Sequence, residues 1–227
     1  MIIKEKFYKG EEKEMSFRVI LVHGFHKSYR DMIPLKENLE TLGYRVENLN
    51  FPLTFPDISC SEDMLKQYLL DLKYNGDTEN QEIVLIGFGL GGKLIEKVLR
   101  DKGVKGIVDK VILISAPLKD SVIYRRLARV IPFLDRVFKP LKILNKKDYF
   151  KFDKGIEVGV IIGTEPYGIF KGWLGEYSDG LVNIKECMYS KAKDTLYLPL
   201  GHDEIHKKMG TAKYINNFIS KGGFKIK

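Results

Sequence analysis

A glycine-rich segment, Gly87-Phe88-Gly89-Leu90-Gly91-Gly92, constrains the fold of this chain more than any other feature. It follows directly on the apolar run Ile83-Val84-Leu85-Ile86, which has the length of a buried strand. Glycines have no Cβ, so they allow a sharp turn and a close approach of neighbouring backbone. The segment therefore predicts a strand that turns abruptly into a helix beginning near Leu90.

Strand-like and helix-like patterns alternate along the rest of the chain. This alternation is typical of an α/β protein with a mostly parallel sheet and helices on both faces. The predicted strands span 18–22, 44–49, 82–86, 108–114, 157–162 and 195–198. Four helices are predicted. The first spans 31–42, the second begins at Ser61 as its N-cap and ends near Asn75, and the third spans 90–100. The fourth is a terminal helix with one apolar side, formed by Ile205, Met209, Ala212, Ile215, Phe218 and Ile219.

Length and composition favour a single globular domain over residues 1–227. A content of 44% hydrophobic and 30% charged residues excludes a disordered or collagen-like chain. No apolar run reaches the roughly 20 residues of a membrane helix, and the first residues lack the apolar stretch of a signal peptide. We therefore expect a cytoplasmic protein in which Cys60 and Cys187 are free thiols.

The formal net charge of +8 comes mostly from lysines scattered along the chain. No zinc-ligand spacing or RNA-binding signature accompanies them, so we expect no nucleic-acid partner. Residues 119–149 differ, because nine Lys or Arg and only three Asp are interleaved there with apolar residues. A basic amphipathic segment between two strands either packs on the core as a helical cap or contacts an anionic membrane.

Four segments together resemble the lipase and esterase branch of the α/β-hydrolase superfamily, over residues 18–219. Gly87–Gly92 is similar to the family's Gly-His-Ser-Leu-Gly-Gly elbow, and His23-Gly24-Phe25 to its His-Gly-X loop. Ser178–Val182 resembles the segment that carries the catalytic acid, and Gly201–Ile205 resembles the loop of the catalytic histidine. The order of nucleophile, acid and histidine along the chain agrees with the family.

The resemblance implies an α/β-hydrolase fold with a cap or lid at about 119–150, and it assigns roles to individual residues. Asp179 would orient His202, and His202 would take a proton from the nucleophile. The backbone N–H groups of Phe25 and Leu90 would form the oxyanion hole. Gly89 occupies the nucleophile position and has no atom that can attack a carbonyl carbon. Covalent catalysis through the elbow is therefore impossible in this chain.

Each segment taken alone has a simpler explanation. The glycines could cradle a phosphate in a nucleotide-binding fold, although the Lys-Ser/Thr of a P-loop is absent. Asp179 could be part of no more than an Asp-Gly turn, and His23 could be a hydrogen-bonded loop residue. His202 and His206 have helical spacing but lack the Glu of a zinc-protease motif, so we expect neither a metal nor a cofactor.

Two hypotheses on function remain. In the first, the chain is a lipase- or carboxylesterase-like scaffold for ester hydrolysis that is inactive or nearly so, because an engineered change or a natural loss put Gly89 where serine belongs. In the second, it is a natural pseudoenzyme that binds an acyl or anionic ligand. A nucleophile relocated to Ser115, Cys60 or Ser61 is less favoured, since none lies at a strand-to-helix turn. The retained acid and histidine favour the first hypothesis, because a binding module does not need them.

Overall fold

One parallel sheet forms the centre of the computed structural model, which describes residues 16–76, 78, 81–145, 151–168 and 170–225. Its strands are β1 (Ser16–Val22), β2 (Arg45–Leu49), β3 (Gln81–Phe88), β4 (Lys110–Ile114), β5 (Glu157–Gly163) and β6 (Asp194–Leu198). They are arranged in the order β2-β1-β3-β4-β5-β6, and every neighbouring pair is parallel. This arrangement confirms the predicted α/β sheet.

Helices cover both faces of the sheet. The α-helices in the described part of the chain are α1 (Ile33–Thr41), α2 (Ile58–Tyr74), α3 (Leu90–Val98), α4 (Val122–Val130), α5 (Leu134–Val137), α6 (Lys171–Leu174), α7 (Ile184–Cys187), α8 (His202–Ile205) and α9 (Met209–Lys221). Short 3-10 helices span Tyr29–Met32, Lys102–Val104 and Lys139–Asn145. No helix of the described ranges is long and apolar enough to cross a membrane.

Two apolar cores form because alternate strand residues point to opposite faces. In β1, Val19 and Leu21 pack with α1 and α9, whereas Ile20 and Val22 pack with α2 and α3. All four side chains are fully buried. Strands that are buried on both faces read as continuous apolar runs, which is why these strands could be predicted from the sequence.

The predicted start of α2 is wrong. Asp57, not Ser61, caps this helix, since its carboxylate accepts the N–H of Ser59 at 3.1 Å. Ser61 lies inside the helix and is buried. Both residue types are good N-caps, but starting at Asp57 adds a turn that buries Ile58 in the core.

The predicted terminal helix is also interrupted. Ile205 belongs to the short helix α8, and α9 begins only at Met209, which is exposed rather than part of the apolar side. Lys208, between the two helices, has an extended backbone. His206 ends α8 and its Nε2 lies 3.1 Å from the carbonyl oxygen of Asp31, a tertiary contact that helical periodicity does not reveal.

The glycines around the elbow are required by close packing. A Cβ on Gly91 would lie 2.3 Å from the carbonyl oxygen of Val22 and 2.4 Å from that of His23. A Cβ on Gly92 would lie 2.4 Å from the Cβ of Ala116. The first turn of α3 therefore packs directly on the residues at the carboxyl ends of β1 and β4.

We expect Gly91→Ala to lower the free energy of unfolding by about 1–3 kcal/mol or more, because the added methyl group collides with two backbone carbonyls that cannot rotate away. Gly210→Ala is the matched control, since nothing lies within 4 Å of its Cβ position in α9. That change should be neutral or stabilising by up to about 1 kcal/mol. Urea unfolding followed by circular dichroism measures both, and equal stability of the two variants would contradict the packing argument.

Candidate active site

The carboxyl ends of the parallel strands bring distant segments together. In the register of the sheet, Val22 at the end of β1 lies beside Gly87, and Phe88 lies beside Ile114. Ligand sites of parallel α/β sheets form at this edge. The loop after β1, the elbow after β3 and the loop after β6 consequently meet there.

Asp179 and His202 form a buried pair at this edge. The Nδ1 of His202 lies 2.7 Å from the Oδ2 of Asp179, and both side chains are buried. The backbone N–H of His202 also donates to the carbonyl oxygen of Asp179 at 2.9 Å. A hydrogen bond from Nδ1–H to the carboxylate leaves Nε2 as the proton acceptor of the neutral ring.

The second carboxylate oxygen of Asp179 accepts the backbone N–H groups of Leu181 at 3.0 Å and Val182 at 2.7 Å. Burial by itself raises the pKa of Asp179, but the charge and hydrogen bond of His202, together with the two backbone donors, outweigh it and hold the pKa below its usual value. Gly180 makes this turn possible, since its φ is +94° and a Cβ there would lie 1.9 Å from the carbonyl oxygen of Tyr167.

Gly89 lies opposite the free nitrogen of His202. A Cβ built on Gly89 would be 3.4 Å from Nε2, an ordinary van der Waals distance, and 3.9 Å from the Cα of Gly24. The backbone of Gly89 has φ +52° and ψ −121°, which L side chains rarely adopt. Position 89 is therefore strained for a side chain but not blocked, unlike positions 91 and 92.

Phe25 and Leu90 line the same cavity as Gly89. The N–H of Gly89 itself is engaged, since it donates to the carbonyl oxygen of Ile114 at 3.0 Å. Within the described part of the chain, neither the Phe25 nor the Leu90 N–H donates to a turn or loop carbonyl. Leu90 is the first residue of α3, where the helix leaves its N–H groups without intrahelical acceptors.

A mainly apolar cavity of about 280 Å³ opens over Gly89 and His202. It is lined by Gly24, Phe25, Lys27, Phe88, Gly89, Leu90, Pro117, Ser121, Ile123, Tyr124, Leu127, Leu141, Leu144, Phe170, Leu181, Val182 and His202. One wall comes from α4 and the 3-10 helix that follows α5, which lie within the basic segment 119–149; residues 146–149 of that segment lie outside the described residues. Among the described lining residues Lys27 is the one lysine or arginine, and its Nζ lies 2.8 Å from the Oδ1 of Asp203.

His23 and His206 have structural positions. His23 is buried, its Nε2 accepts the N–H of Phe51 at 3.0 Å, and its Nδ1 lies 3.0 Å from the carbonyl oxygen of Gly24. Burial lowers the pKa of His206 to about 4, and its ring lies 4.1 Å from the ring of Phe88. Among the described residues, no group of three or more His, Cys, Asp or Glu side chains is arranged to hold a metal ion.

The residues considered for a relocated nucleophile lie away from the cavity lining. Ser115 is buried, and its hydroxyl accepts the N–H of Gly163 at 3.3 Å. Cys60 and Ser61 lie in α2. Cys60 and Cys187 are both free thiols, as predicted, and the structure shows that Cys60 is exposed and Cys187 is buried.

Sequence reasoning missed Ser121 and Glu186. Ser121 lines the cavity and caps α4 by accepting the N–H of Tyr124 at 3.3 Å. Glu186 is buried in α7 and contacts the start of α4. A capping serine before an apolar and basic helix was a recognisable signal. The burial of Glu186 had none, because a carboxylate beside Lys185 is typical of a solvated surface.

The sheet, the elbow and the residues at the carboxyl edge define an α/β-hydrolase fold. A family described as "Putative serine esterase (DUF676)" matches residues 12–112, somewhat less than half of the chain. The mature form of lipase BlEst2 from Bacillus licheniformis has a TM-score of 0.67 at 17% identity, and the match covers 94% of each chain.

Two further solved structures share the fold. For the ydeN gene product of B. subtilis the TM-score is 0.61 at 18% identity, over 91% of this chain and all of the other. For tomato methylketone synthase I complexed with 2-tridecanone it is 0.61 at 13% identity, over 91% of this chain and 99% of the other. Such identities show the fold alone. A comparison with curated proteins found no match.

We expect Asp179→Ala to lower the free energy of unfolding by about 3 kcal/mol, because it leaves the His202 ring and two backbone N–H groups buried without their acceptor. Asp203→Ala should cost at most about 1 kcal/mol, since the Asp203 carboxylate is largely exposed.

Because the pKa of Asp179 is lowered in the folded protein, the stabilisation by its carboxylate is present above the unfolded pKa of about 3.9 and is lost as pH falls through the folded pKa. Urea titrations at neutral and acidic pH test this, and equal losses in both variants would contradict it.

Proposed function

We propose that this chain is a lipase- or carboxylesterase-type hydrolase site for carboxylic esters that lacks its nucleophile and is therefore inactive or nearly so. The observation that carries the proposal is the position of His202, whose Nε2 lies 3.4 Å from the place of a Cβ on Gly89 while its Nδ1 is held by Asp179. A base oriented by a carboxylate and directed at one backbone position is the arrangement that activates a serine hydroxyl. The match to a serine esterase family over residues 12–112 supports the same chemistry.

The remaining groups would act on an ester as follows. The ester would bind in the cavity with its carbonyl oxygen toward the N–H groups of Phe25 and Leu90, which would stabilise the oxyanion. In the parent chain His202 has no hydroxyl to deprotonate, so it would take the proton from a water molecule instead. Sites that lose their nucleophile retain roughly 10³–10⁴ over the uncatalysed rate at best. Hydrolysis by the parent chain would therefore be slow.

The acyl part of the ester is the part that the cavity fits. Most lining residues are apolar, and several belong to the segment 119–150, which we propose is the cap of the single domain. The neighbours with the same fold are consistent with this choice, since one is a lipase and another is described with 2-tridecanone, a long apolar ketone. A natural binding module for acyl or anionic ligands is the alternative, because the cavity is present and the nucleophile is not.

We expect Gly89→Ser to confer hydrolysis of short or medium acyl p-nitrophenyl esters, at a rate at least about 10³ above the parent chain. The hydroxyl would extend from a Cβ that already lies 3.4 Å from Nε2, so it would come within hydrogen-bonding reach of the ring. The positive φ should make the variant about 1–2 kcal/mol less stable than the parent. Release of p-nitrophenolate measures the activity.

Two control variants separate the hydroxyl from the backbone. Gly89→Ala introduces the same backbone strain without a nucleophile and should stay at the parent rate. Gly89→Ser combined with His202→Ala should also fall to that rate or below it, because the members of such a site act as a unit. A folded Gly89→Ser protein that hydrolyses no ester of a broad acyl panel would refute the hydrolase proposal and leave the binding module.

We further propose that an anionic membrane surface is the partner of α4 and α5. Residues 128–133 are all exposed, and they present Val130, Ile131 and Phe133 at the turn between the two helices. Phe133 has φ +74°, and the guanidinium of Arg136 lies 4.8 Å from the centre of its ring. Exposed apolar side chains beside arginines and lysines fit the interface of an anionic bilayer, whereas a nucleic acid would need only the charges.

Binding to vesicles that contain phosphatidylglycerol should therefore weaken with added salt, because the attraction acts over a Debye length of about 8 Å at physiological ionic strength. Phe133→Ser should weaken it at least about threefold, since it removes an exposed apolar side chain from the contact. Tyr74→Ser is the control, because Tyr74 is even more exposed but lies at the end of α2. Flotation assays measure binding. Equal binding to neutral vesicles, or binding to RNA alone, would overturn the membrane proposal.

A further inference from the structure

Glu186 connects two parts of the candidate site that the sequence places far apart. Its Oε1 accepts the backbone N–H of Val122, the first residue of α4, at 3.0 Å. Its backbone carbonyl accepts the N–H groups of Leu118 at 2.9 Å and Lys119 at 3.1 Å. One residue of α7 thus contacts the chain between β4 and α4 at two places, near the middle of this connection and at the first residue of α4.

That segment forms a wall of the cavity. Ser121, Ile123 and Tyr124 all line it, so the start of α4 sets the position of three lining side chains. On its other side, α7 continues directly from the loop that carries Asp179. The N–H of Ile184, at the start of α7, donates to the carbonyl oxygen of Tyr177 at 3.0 Å, just before that loop. Glu186 therefore ties the cavity wall to the loop of the acid.

The surroundings of Glu186 disfavour its charge. The side chain is buried, and its Oε2 has no hydrogen-bond partner among the described residues. Burial is the largest effect that raises the pKa of Glu186, to about 7, and the negative charge of Asp179 adds to it. Two titratable neighbours are Lys119, whose backbone N–H donates to the Glu186 carbonyl oxygen, and Cys187, the next residue in the chain; burial raises the pKa of the Cys187 thiol well above its usual value.

We call the wall closed when the start of α4 lies against α7, as it does here. Near neutral pH the negative charge of ionised Glu186 consequently destabilises this closed arrangement. A carboxyl whose pKa is raised in the closed arrangement stabilises that arrangement while it is protonated. The advantage is complete below the pKa of the exposed group, about 4.5, and is lost as pH rises through about 7. If the start of α4 moved away from α7, water could reach Oε2, and hydration of that oxygen would stabilise the ionised carboxylate.

We propose that Glu186 is a positioning residue of the cavity, which holds the start of α4 against the acid loop when protonated and loosens this wall when ionised. The inference rests on the proposed binding of an apolar ligand in the cavity. It does not need hydrolysis, so it is testable in the parent chain.

The experiment measures the affinity of the uncharged fluorescent probe N-phenyl-1-naphthylamine between about pH 5.5 and about pH 8.5, where Glu186 changes charge. The parent chain should bind the probe at least about threefold more weakly at the upper pH. Glu186→Gln keeps the acceptor oxygen but cannot ionise, so it should retain the low-pH affinity throughout. The exposed Glu37→Gln on α1 is the matched control and should follow the parent chain.

A pH dependence that persists in Glu186→Gln would overturn the proposal, because His202 and the other cavity groups are unchanged in that variant. Absence of probe binding by the parent chain at every pH would overturn it as well, since there would be no ligand for the wall to hold. Glu186→Ala should bind weakly at all pH values; if it does not fold, the Gln variant decides alone. An inactive Gly89→Ser protein would refute the hydrolase proposal but would leave this result untouched.

Discussion

The close contact between α3 and the carboxyl ends of β1 and β4 is the constraint on which the rest of the site depends. The first turn of the helix lies so near the carbonyls of Val22 and His23 that only glycine fits at position 91. This contact fixes the direction in which the chain leaves β3. It thereby places position 89 at the floor of the cavity, with the N-terminal amides of α3 beside it. A side chain at position 91 would push α3 away from the strands and would thereby change the distances in the site.

Position 89 differs from its neighbours because its backbone is strained but its surroundings are open. Glycine adopts a positive φ without the cost that an L side chain pays, about 1–2 kcal/mol, so Gly89 relaxes a turn that other residues would keep under strain. The packing around Gly91 and Gly92 explains their identity on steric grounds alone. At Gly89 no neighbouring atom requires glycine, since the nearest atom to its Cβ position is the Nε2 of His202 at 3.4 Å.

The pair of Asp179 and His202 has a structural role that does not depend on catalysis. A buried carboxylate is costly unless donors surround it, and Asp179 is surrounded by the His202 ring and two backbone N–H groups. Together with the hydrogen bond from the His202 N–H to the Asp179 carbonyl oxygen, the pair joins the loops after β5 and β6. This role gives a reason for both residues even with glycine at position 89. Across the cavity, α4 combines an apolar inner face with an arginine-rich outer face, and Glu186 anchors its first residue.

The sequence by itself determined the parallel sheet and the position of the elbow. Strands buried on both faces appear as unbroken apolar runs, and the glycines mark the turn, so these features are local. The order of Gly89, Asp179 and His202 along the chain also allowed their roles to be predicted by resemblance. Asp179 does not directly follow a strand, since β5 ends at Gly163. The sequence determined the ends of the helices less well than the strands. For α2, Asp57 and Ser61 are equally good N-caps, and only the burial of Ile58 decides that the helix begins after Asp57.

Tertiary structure alone decided the rest of the site. The distance from Nε2 of His202 to position 89 depends on two loops separated by more than a hundred residues in sequence. The break between α8 and α9 lies where His206 contacts Asp31, far away in the chain. The burial of Glu186, which looks like a surface carboxylate in the sequence, accompanies its hydrogen bonds to Leu118, Lys119 and Val122, more than sixty residues earlier in the chain. Periodicity and motifs report contacts between near neighbours in sequence, whereas the cavity and its electrostatics arise from residues that only the folded sheet brings together.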